Sequence, residues 1–328
     1  MARSITAMEL AKLAGVSHIT VSRAFDPSAS IRAETREKIQ QLAREHGYVP
    51  NSMAAALKRS RSDLVAIVAA SLSHYEYDQI RHLTRELQAI GLTTLLVNCQ
   101  DSANASEFVG RAASYRASYA IVYADAMPNE EVKRFFGTSR LILVRNQPHL
   151  DGDHITLRID PSAAIDAAAA DLASSGRRNI LWLNGALSSA MNARRKELFR
   201  TSLSRHGLTF IGEAHGDYRY NPALREIEVA LQQRPSIDAV ISANDEMAFA
   251  AIDAVRQSGR RIPDDVAVIG HDGLEMAFWS AYQLSTIQLD HEAYATEIVN
   301  LIRKMEAGEK EVPHQVEIQC GYRKGQTT

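Results

Sequence analysis

Short apolar runs alternate with helix-length segments from residue 64 onward, and this alternation constrains the fold more than any other feature of the sequence. Strands that alternate with helices predict parallel sheets with crossover helices. Because nine such runs exceed one small doubly wound sheet, we expect two α/β lobes that exchange chain near Asp160 and Asp290. The predicted strands are Leu64–Ala70, Thr93–Val97, Tyr119–Tyr123, Leu141–Val144, Ile155–Ile159, Asn179–Leu183, Ala239–Ser242, Val266–Ile269 and Leu284–Ile287.

The first sixty residues lack these runs and predict three short helices. Thr6 and Glu9 have the spacing of a capping box, and Gly15 allows a tight turn at the end of the first helix. Ser17 then caps the second helix. The three helices are expected over residues 6–14, 17–25 and 31–46, with apolar faces formed by Leu10, Leu13, Ala14, Val21, Ala24, Ile39, Leu42 and Ala43.

Two short helices joined by a glycine turn resemble a helix-turn-helix, whose second helix enters the major groove of DNA. The charge distribution agrees with an anionic partner. Residues 1–62 hold ten Lys or Arg and five Asp or Glu, whereas the rest of the chain holds 27 basic and 34 acidic residues. A segment of charge +5 therefore precedes a body of charge −7. A three-helix bundle that binds protein, or a merely solvated helix face, is the alternative interpretation.

Four ordered strings carry a family resemblance that covers nearly the whole chain. ELAKLAGVSHITVSRAF, IRAETREKIQQLAREHGYVPN and AAALK resemble the headpiece of the lactose-repressor (LacI/GalR) family, and SANDEMAFAAIDAVRQSGRRIPDDVAVIGHDG resembles its body. The resemblance implies a helix-turn-helix headpiece over residues 1–49, a hinge helix and linker over 50–63, and an effector-binding and dimerisation domain over 64–328. That last domain is expected to have the periplasmic-binding-protein-like fold, with two doubly wound α/β lobes.

DNA contacts are expected from the second helix, from its flanks and from the hinge. In the family, a dimer binds a palindromic double-stranded operator and each hinge inserts a leucine between base pairs, a position that Leu57 matches. The family pattern Ala-Arg-x-Leu is replaced here by Ala54-Ala55-Ala56-Leu57, and nearby Lys58 offers phosphate attraction instead. The expected DNA-binding residues are Thr6, Ser17, His18, Ile19, Thr20, Ser22, Arg23, Asn51, Leu57 and Lys58.

Polar residues follow most of the predicted strands, at the edge where open parallel sheets bind ligands. Amide and carboxylate groups suit the hydroxyls of a sugar, although many such residues cap helices or close turns instead. The resemblance narrows the choice, with two departures: ARRKELF replaces the usual G-R-x-x-G-F, and Pro161 follows Asp160 in place of Asn. The expected effector-binding residues are Ser71, Tyr77, Arg145, Asp160, Arg195, Tyr218, Asn244 and Asp272.

Two arginines in one cleft would favour an acidic effector, since Arg binds carboxylate and phosphate in a bidentate manner. If Arg145 and Arg195 both face the cleft, a sugar acid or sugar phosphate is the expected ligand class. The alternative is that Arg145 pairs with Asp125 or Asp160, which leaves an uncharged sugar.

Enzymatic interpretations find little support. The sequence has no phosphate-binding glycine loop, dinucleotide fingerprint, nucleophile elbow or H-E-x-x-H, so we predict no catalytic residues, no metal and no cofactor. Two cysteines cannot form a disulfide framework, no apolar run reaches 18 residues, and no signal peptide is evident, so a cytoplasmic location without membrane contact is expected.

Two functions from different classes remain after these exclusions. The first is a ligand-responsive transcriptional regulator, expected to be a repressor, that binds operator DNA as a homodimer and responds to a small sugar or sugar acid. The second is a sugar-binding protein of the periplasmic-binding type without a transcriptional role. The basic N-terminal segment and the lack of a signal peptide favour the regulator. An enzyme on the same two-lobed fold is a distant third.

Overall fold

The computed structural model describes residues 5–26, 29–50, 62–70, 72–99, 104–123, 129–137, 139–144, 154–309 and 311–328. Its chain forms two compact units, Met1–Asp63 and Leu64–Thr328. We call the first unit the headpiece and the second the body. The helices of the headpiece are α1 (Ala7–Ala14), α2 (His18–Ala24) and α3 (Ala33–Glu45).

Local chemistry sets the ends of the headpiece helices. Thr6 and Glu9 form the capping box that the sequence predicts, since each side chain accepts a hydrogen bond from the other's backbone N–H. Gly15 ends α1 in the left-handed conformation, with φ of 71°, which a glycine adopts without strain. Ser17 caps α2 by accepting a hydrogen bond from the backbone N–H of Thr20 at 3.2 Å.

A small apolar core joins the three helices, and one prediction about it is wrong. Leu13 is 51% exposed rather than buried. At 100° per residue, Leu10, Ala11 and Ala14 fix the centre of the buried arc of α1, and Leu13 lies about 100° away from it. The buried residues of the core are Leu10, Ala11, Ala14, Val21, Ala24, Ile39 and Ala43.

Twelve strands and eight helices build the described part of the body. Its strands are β1 (Leu64–Ala69), β2 (Thr93–Asn98), β3 (Tyr119–Tyr123), β4 (Arg140–Val144), β5 (His154–Asp160), β6 (Ile180–Asn184), β7 (Phe210–His215), β8 (Ala239–Ser242), β9 (Ala267–Asp272), β10 (Ser285–Gln288), β11 (Gln315–Gln319) and β12 (Gly321–Arg323). Its helices are α4 (His74–Ala89), α5 (Ala105–Ser114), α6 (Asn129–Phe136), α7 (Ser162–Ser174), α8 (Ala190–Arg205), α9 (Tyr220–Gln233), α10 (Asp245–Gln257) and α11 (His291–Ala307), with a short 3-10 helix at Glu275–Phe278.

These strands form two six-stranded sheets, one in each lobe. The sheet of the N-lobe has the order β11-β5-β4-β3-β1-β2, with every pair parallel. The sheet of the C-lobe has the order β12-β10-β9-β8-β6-β7, with β12 antiparallel to its neighbour and the other pairs parallel. Two lobes with α/β architecture are therefore confirmed.

The chain passes between the lobes three times. It leaves the N-lobe sheet after Asp160 and returns after the C-lobe strand β10, near Asp290, as the sequence predicts. A third passage at Cys320, between β11 and β12, was not predicted. Helix α11 accordingly packs its buried face, with Tyr294 and Ile298, into the core of the N-lobe. Each lobe is thus built from discontinuous parts of the chain.

No helix in the described ranges combines the length and the apolar character needed to cross a bilayer.

Candidate functional site

Helix α2 carries a continuous outward face in the headpiece. Its inward side is Val21 and Ala24, both fully buried or nearly so. Ile19 is 63% exposed, although it is a large apolar residue. The other outward residues are Ser17, His18, Ser22 and Arg23, and Thr20 is partly buried. The helix contains no acidic residue, so a polar and basic face with one exposed isoleucine is presented to solvent.

Helix α3 holds α2 in position through side chains that bind backbone carbonyls. The guanidinium of Arg36 donates to the carbonyl oxygens of Ala24 at 3.2 Å, Asp26 at 2.9 Å and Ala29 at 2.8 Å. Gln40 donates to the same carbonyl of Ala24 at 3.1 Å. These bonds satisfy carbonyls that the end of α2 leaves without helical partners. Arg36 was quoted only as part of a family string, so the sequence signal existed but its role as a positioning residue was missed.

The remaining predicted DNA contacts are only partly covered by the structure. The hydroxyl of Thr6 lies 2.9 Å from the Glu9 carboxylate and serves the capping box of α1. Asn51, Leu57 and Lys58 lie outside the described residues, so their roles stay predictions.

A buried polar cluster lies at the carboxyl end of the C-lobe sheet, and we define it as Arg195, Asp245, His271 and Asp272. Arg195 on α8 forms an ion pair of 3.0 Å with Asp272 and donates to the carbonyl of Ala243 at 2.5 Å. His271 Nδ1 lies 3.3 Å from the same Asp272 carboxylate. All four side chains are at least nine-tenths buried. Arg195 and Asp272, predicted from the family pattern, are therefore brought together.

The electrostatics of this cluster follow from its burial. Burial raises the pKa of Asp272 to about 6, although Arg195 opposes the shift. Burial and then the neighbouring Asp272 raise the pKa of Asp245 to about 7. Burial, with Arg195, holds the pKa of His271 well below its usual value, so this imidazole is neutral. The cluster thus holds one arginine, which pairs with Asp272, and a second buried carboxyl group, Asp245.

Asp245 is not among the effector-binding residues predicted from the sequence, but it connects three elements. Its carboxylate accepts hydrogen bonds from the Thr286 hydroxyl at 2.6 Å and from the backbone N–H of Leu274 at 2.8 Å. A Cβ at Gly270 would lie 2.1 Å from the Asp245 Oδ1 atom. The glycine therefore leaves the space that this carboxylate fills. The signal available in the sequence was an acidic residue at the first position of a helix that begins shortly after a strand.

Tyr218 and Asn244 meet on the same lobe. The side-chain amide of Asn244 donates to the carbonyl of Tyr218 at 3.3 Å and accepts from the backbone N–H of Met247 at 3.0 Å. Asn244 is thus the N-terminal cap of α10. The Tyr218 hydroxyl lies 3.3 Å from the Ser189 hydroxyl, and its ring covers Gly185, where a Cβ would lie 2.2 Å from the ring.

Tyr75, rather than Tyr77, is the ring between the lobes. Tyr77 is 61% exposed, whereas Tyr75 packs against the apolar cores of both lobes. Burial raises the pKa of Tyr75, and Cys320, Asp272 and Arg195 act electrostatically on its hydroxyl. The two tyrosines are two residues apart on α4 and so point in different directions. The apolar spacing of Ile80, Leu83 and Leu87 does not separate the two tyrosines, so the sequence held no signal that favours Tyr75.

Asp160 lies at a passage between the lobes and serves the start of α7. It accepts hydrogen bonds from the Ser162 backbone at 3.1 Å and from the Ser162 hydroxyl at 2.6 Å. Burial acts to raise the pKa of Asp160, but these hydrogen bonds lower it overall. The proline that replaces the family's Asn at 161 leaves this capping role intact. Ser71 and Arg145 lie outside the described residues.

The chain matches two family models. Residues 6–51 match the model of bacterial regulatory proteins of the lacI family, and residues 169–328 match a periplasmic binding protein-like domain. The chain belongs to the LacI family. As a member, it is a DNA-binding transcriptional regulator with a helix-turn-helix headpiece and a two-lobed body. This membership confirms the resemblance found in the sequence.

Relatives in the LacI family match over nearly the full length. The transcriptional regulator AscG of Escherichia coli K12 is 26% identical over 316 residues, which cover 94% of each chain. Among solved structures, the lac repressor dimer bound to operator and the anti-inducer ONPF has a TM-score of 0.84 at 22% identity and covers 99% of each chain. A complex of the regulator CelR with cellobiose has a TM-score of 0.70 at 23% identity, covering 99% of this chain and all of that one.

Proposed function

We propose that the chain is a transcriptional repressor that binds a palindromic operator as a homodimer and is controlled by a small sugar-like effector. The outward face of α2 carries the DNA-binding part of this proposal. That face is polar and basic, it lacks acidic residues, and Arg36 and Gln40 fix its orientation through backbone carbonyls. A rigid helix with exposed residues in its first turns is what readout in the major groove requires.

The homodimer follows from the operator geometry proposed here. Two copies of α2 related by a two-fold axis fit two half-sites of a palindrome that lie about one helical turn apart. The lac repressor dimer on its operator, which shares the fold, is an example of this arrangement.

The buried polar cluster supports an uncharged polyol as effector. Asp272 already compensates the charge of Arg195, so this arginine does not by itself call for an acidic ligand. Arg195 Nε and His271 Nε2 are buried without a hydrogen-bond partner among the described residues, and a hydroxyl can both accept from the first and donate to the second. The sugar-acid alternative rests on Arg145. Cellobiose in the CelR complex supports the sugar class.

A salt titration tests the DNA-binding proposal. Binding of the full-length protein to its own upstream DNA is measured by fluorescence anisotropy from 50 to 300 mM KCl, beside Arg23→Ala and a truncated protein that begins at Leu64. We expect affinity that falls steeply with salt for the full-length protein, weaker binding for the variant, and none for the truncation. Equal binding by all three proteins would refute the proposal and favour the sugar-binding alternative.

Calorimetric titration of the full-length protein tests the effector class. Cellobiose, ribose and gluconate supply two neutral sugars and one sugar acid. We expect neutral sugars to bind and Arg195→Met to abolish the binding. Exclusive binding of gluconate would refute the uncharged class and restore the acidic one.

A further inference from the structure

Ile19 is the most unusual residue on the outward face of α2. It is the second residue of the helix and is 63% exposed, although isoleucine is among the residue types that proteins bury most often. It is absent from the apolar core of the headpiece, which Val21 and Ala24 reach from the opposite side of α2. Folding of the headpiece therefore does not require an isoleucine at this position.

Two neighbouring side chains of Ile19 are hydrogen-bonded to each other, whereas two others are exposed to solvent. The hydroxyls of Ser17 and Thr20 lie 2.9 Å apart, and Ser17 also caps the helix. Ser22 and Arg23 are three and four residues after Ile19, so the three side chains share one face of α2. Ile19 thus forms the apolar end of a short outward stripe whose other members are polar or basic.

We infer that Ile19 recognises the 5-methyl group of one thymine in each half-site of the operator. This inference rests on the proposed function, because it requires α2 to enter the major groove. The edges of bases in that groove are hydrogen-bond donors and acceptors, and the thymine methyl is the only apolar group among them. An isoleucine against any other base edge would remove a donor or acceptor from water without replacing its hydrogen bond. Thymine is therefore the base whose edge Ile19 complements.

The first step of the experiment determines which DNA sequence the protein prefers. Full-length protein selects its preferred duplex from random DNA, and each thymine of the selected half-site is then replaced singly by deoxyuridine, which removes only the methyl group. We expect one position per half-site at which the replacement weakens binding about fourfold, the change expected for one buried methyl group. Replacement in both half-sites together is expected to weaken binding about fifteenfold.

Three variants identify Ile19 as the source of this methyl sensitivity. Ile19→Ala is expected to bind the thymine and uracil duplexes equally, whereas Ile19→Val keeps most of the difference. Ile19→Gln is expected to retain the same A·T pair through the adenine but to lose the methyl sensitivity, since Gln pairs with adenine N6 and N7. Leu13→Ala is the matched control, because Leu13 is also exposed, at 51%, but lies on α1. It is expected to keep the full effect of deoxyuridine.

The outcomes separate this inference from the function on which it rests. If the selection enriches no sequence, the proposed operator binding fails and the inference fails with it. If a sequence is enriched but no deoxyuridine replacement matters, or if Ile19→Ala keeps the methyl sensitivity, the inference alone is overturned. Circular dichroism of each variant tests whether its helices are intact, so lost folding is distinguished from lost recognition.

Discussion

Asp245→Asn is expected to change how the stability of the C-lobe depends on pH. The carboxyl group has an ordinary pKa of 3.8, which burial and Asp272 raise to about 7 in the folded protein. Below pH 3.8 the group is protonated in both the folded and the unfolded state, so it does not lower the free energy of unfolding. As pH rises towards 7, the unfolded chain releases this proton while the folded chain retains it, so stability is lost. At 1.36 kcal/mol per pH unit the full loss is about 4 kcal/mol.

About 2.5 kcal/mol of that loss falls between pH 5 and pH 8, a range in which both proteins can be measured. Urea unfolding followed by tryptophan fluorescence reports this lobe, because both tryptophans, Trp182 and Trp279, belong to it. We expect wild-type protein to lose about 2.5 kcal/mol more than Asp245→Asn over this range.

Asp171→Asn is the matched control, because its effect on how stability changes with pH has the opposite sign. Asp171 has its pKa lowered, since hydrogen bonds from Lys324, Thr328 and Tyr322 outweigh the effect of burial. Asp171→Asn should therefore lose stability relative to wild type as pH rises from acidic values. Parallel pH profiles for wild type and Asp245→Asn would refute the reasoning, because they would show that Asp245 ionises alike in the folded and unfolded states.

Three further substitutions test the positioning contacts. Arg36→Met removes three hydrogen bonds to carbonyls and should destabilise the headpiece by roughly 2–4 kcal/mol; helix melting by circular dichroism should shift while tryptophan-reported unfolding of the C-lobe stays unchanged. Arg195→Met leaves the Asp272 carboxylate buried without its ion pair and should cost about 3–5 kcal/mol in urea unfolding, with partial recovery when Asp272→Asn is added. Gly185→Ala places a Cβ against the Tyr218 ring and should cost about 1–3 kcal/mol, whereas adding Tyr218→Ala should remove that cost, since the steric conflict disappears.

The sequence predicts strands well where both faces of the sheet are covered. All nine predicted strands are present, because buried parallel strands appear as short continuous apolar runs. The three missed strands are β7, β11 and β12, each at the edge of a sheet. Residues of β11 alternate between exposed and half-buried, so the polar side chains of QVEIQ hide the pattern. Edge position alone does not explain these omissions, because the edge strand β2 was predicted from its apolar run, whereas β7, β11 and β12 have no such run.

The sequence predicts the functional residues less completely than the strands, because their roles depend on which groups the fold brings together. Arg195 and Asp272 were found because the family strings name them, and the structure pairs them. Tyr77 was predicted and Tyr75 was not considered, because a sequence string does not show which of two nearby residues a helix turns towards the second lobe. The role of Arg36 depends on carbonyl groups that only the folded turn after α2 brings within its reach.

The three passages of the chain between the lobes also order events during synthesis. The three described helices of the headpiece lie within the first 50 residues, so the contacts among them are local and form early. The N-lobe sheet lacks β11 until residue 319, and the C-lobe sheet lacks β12 until residue 323. During synthesis, the helices of the headpiece are therefore complete long before the two sheets of the body have all their strands. A chain that stops before residue 321 would keep the three described headpiece helices but would lack β12 from the C-lobe sheet.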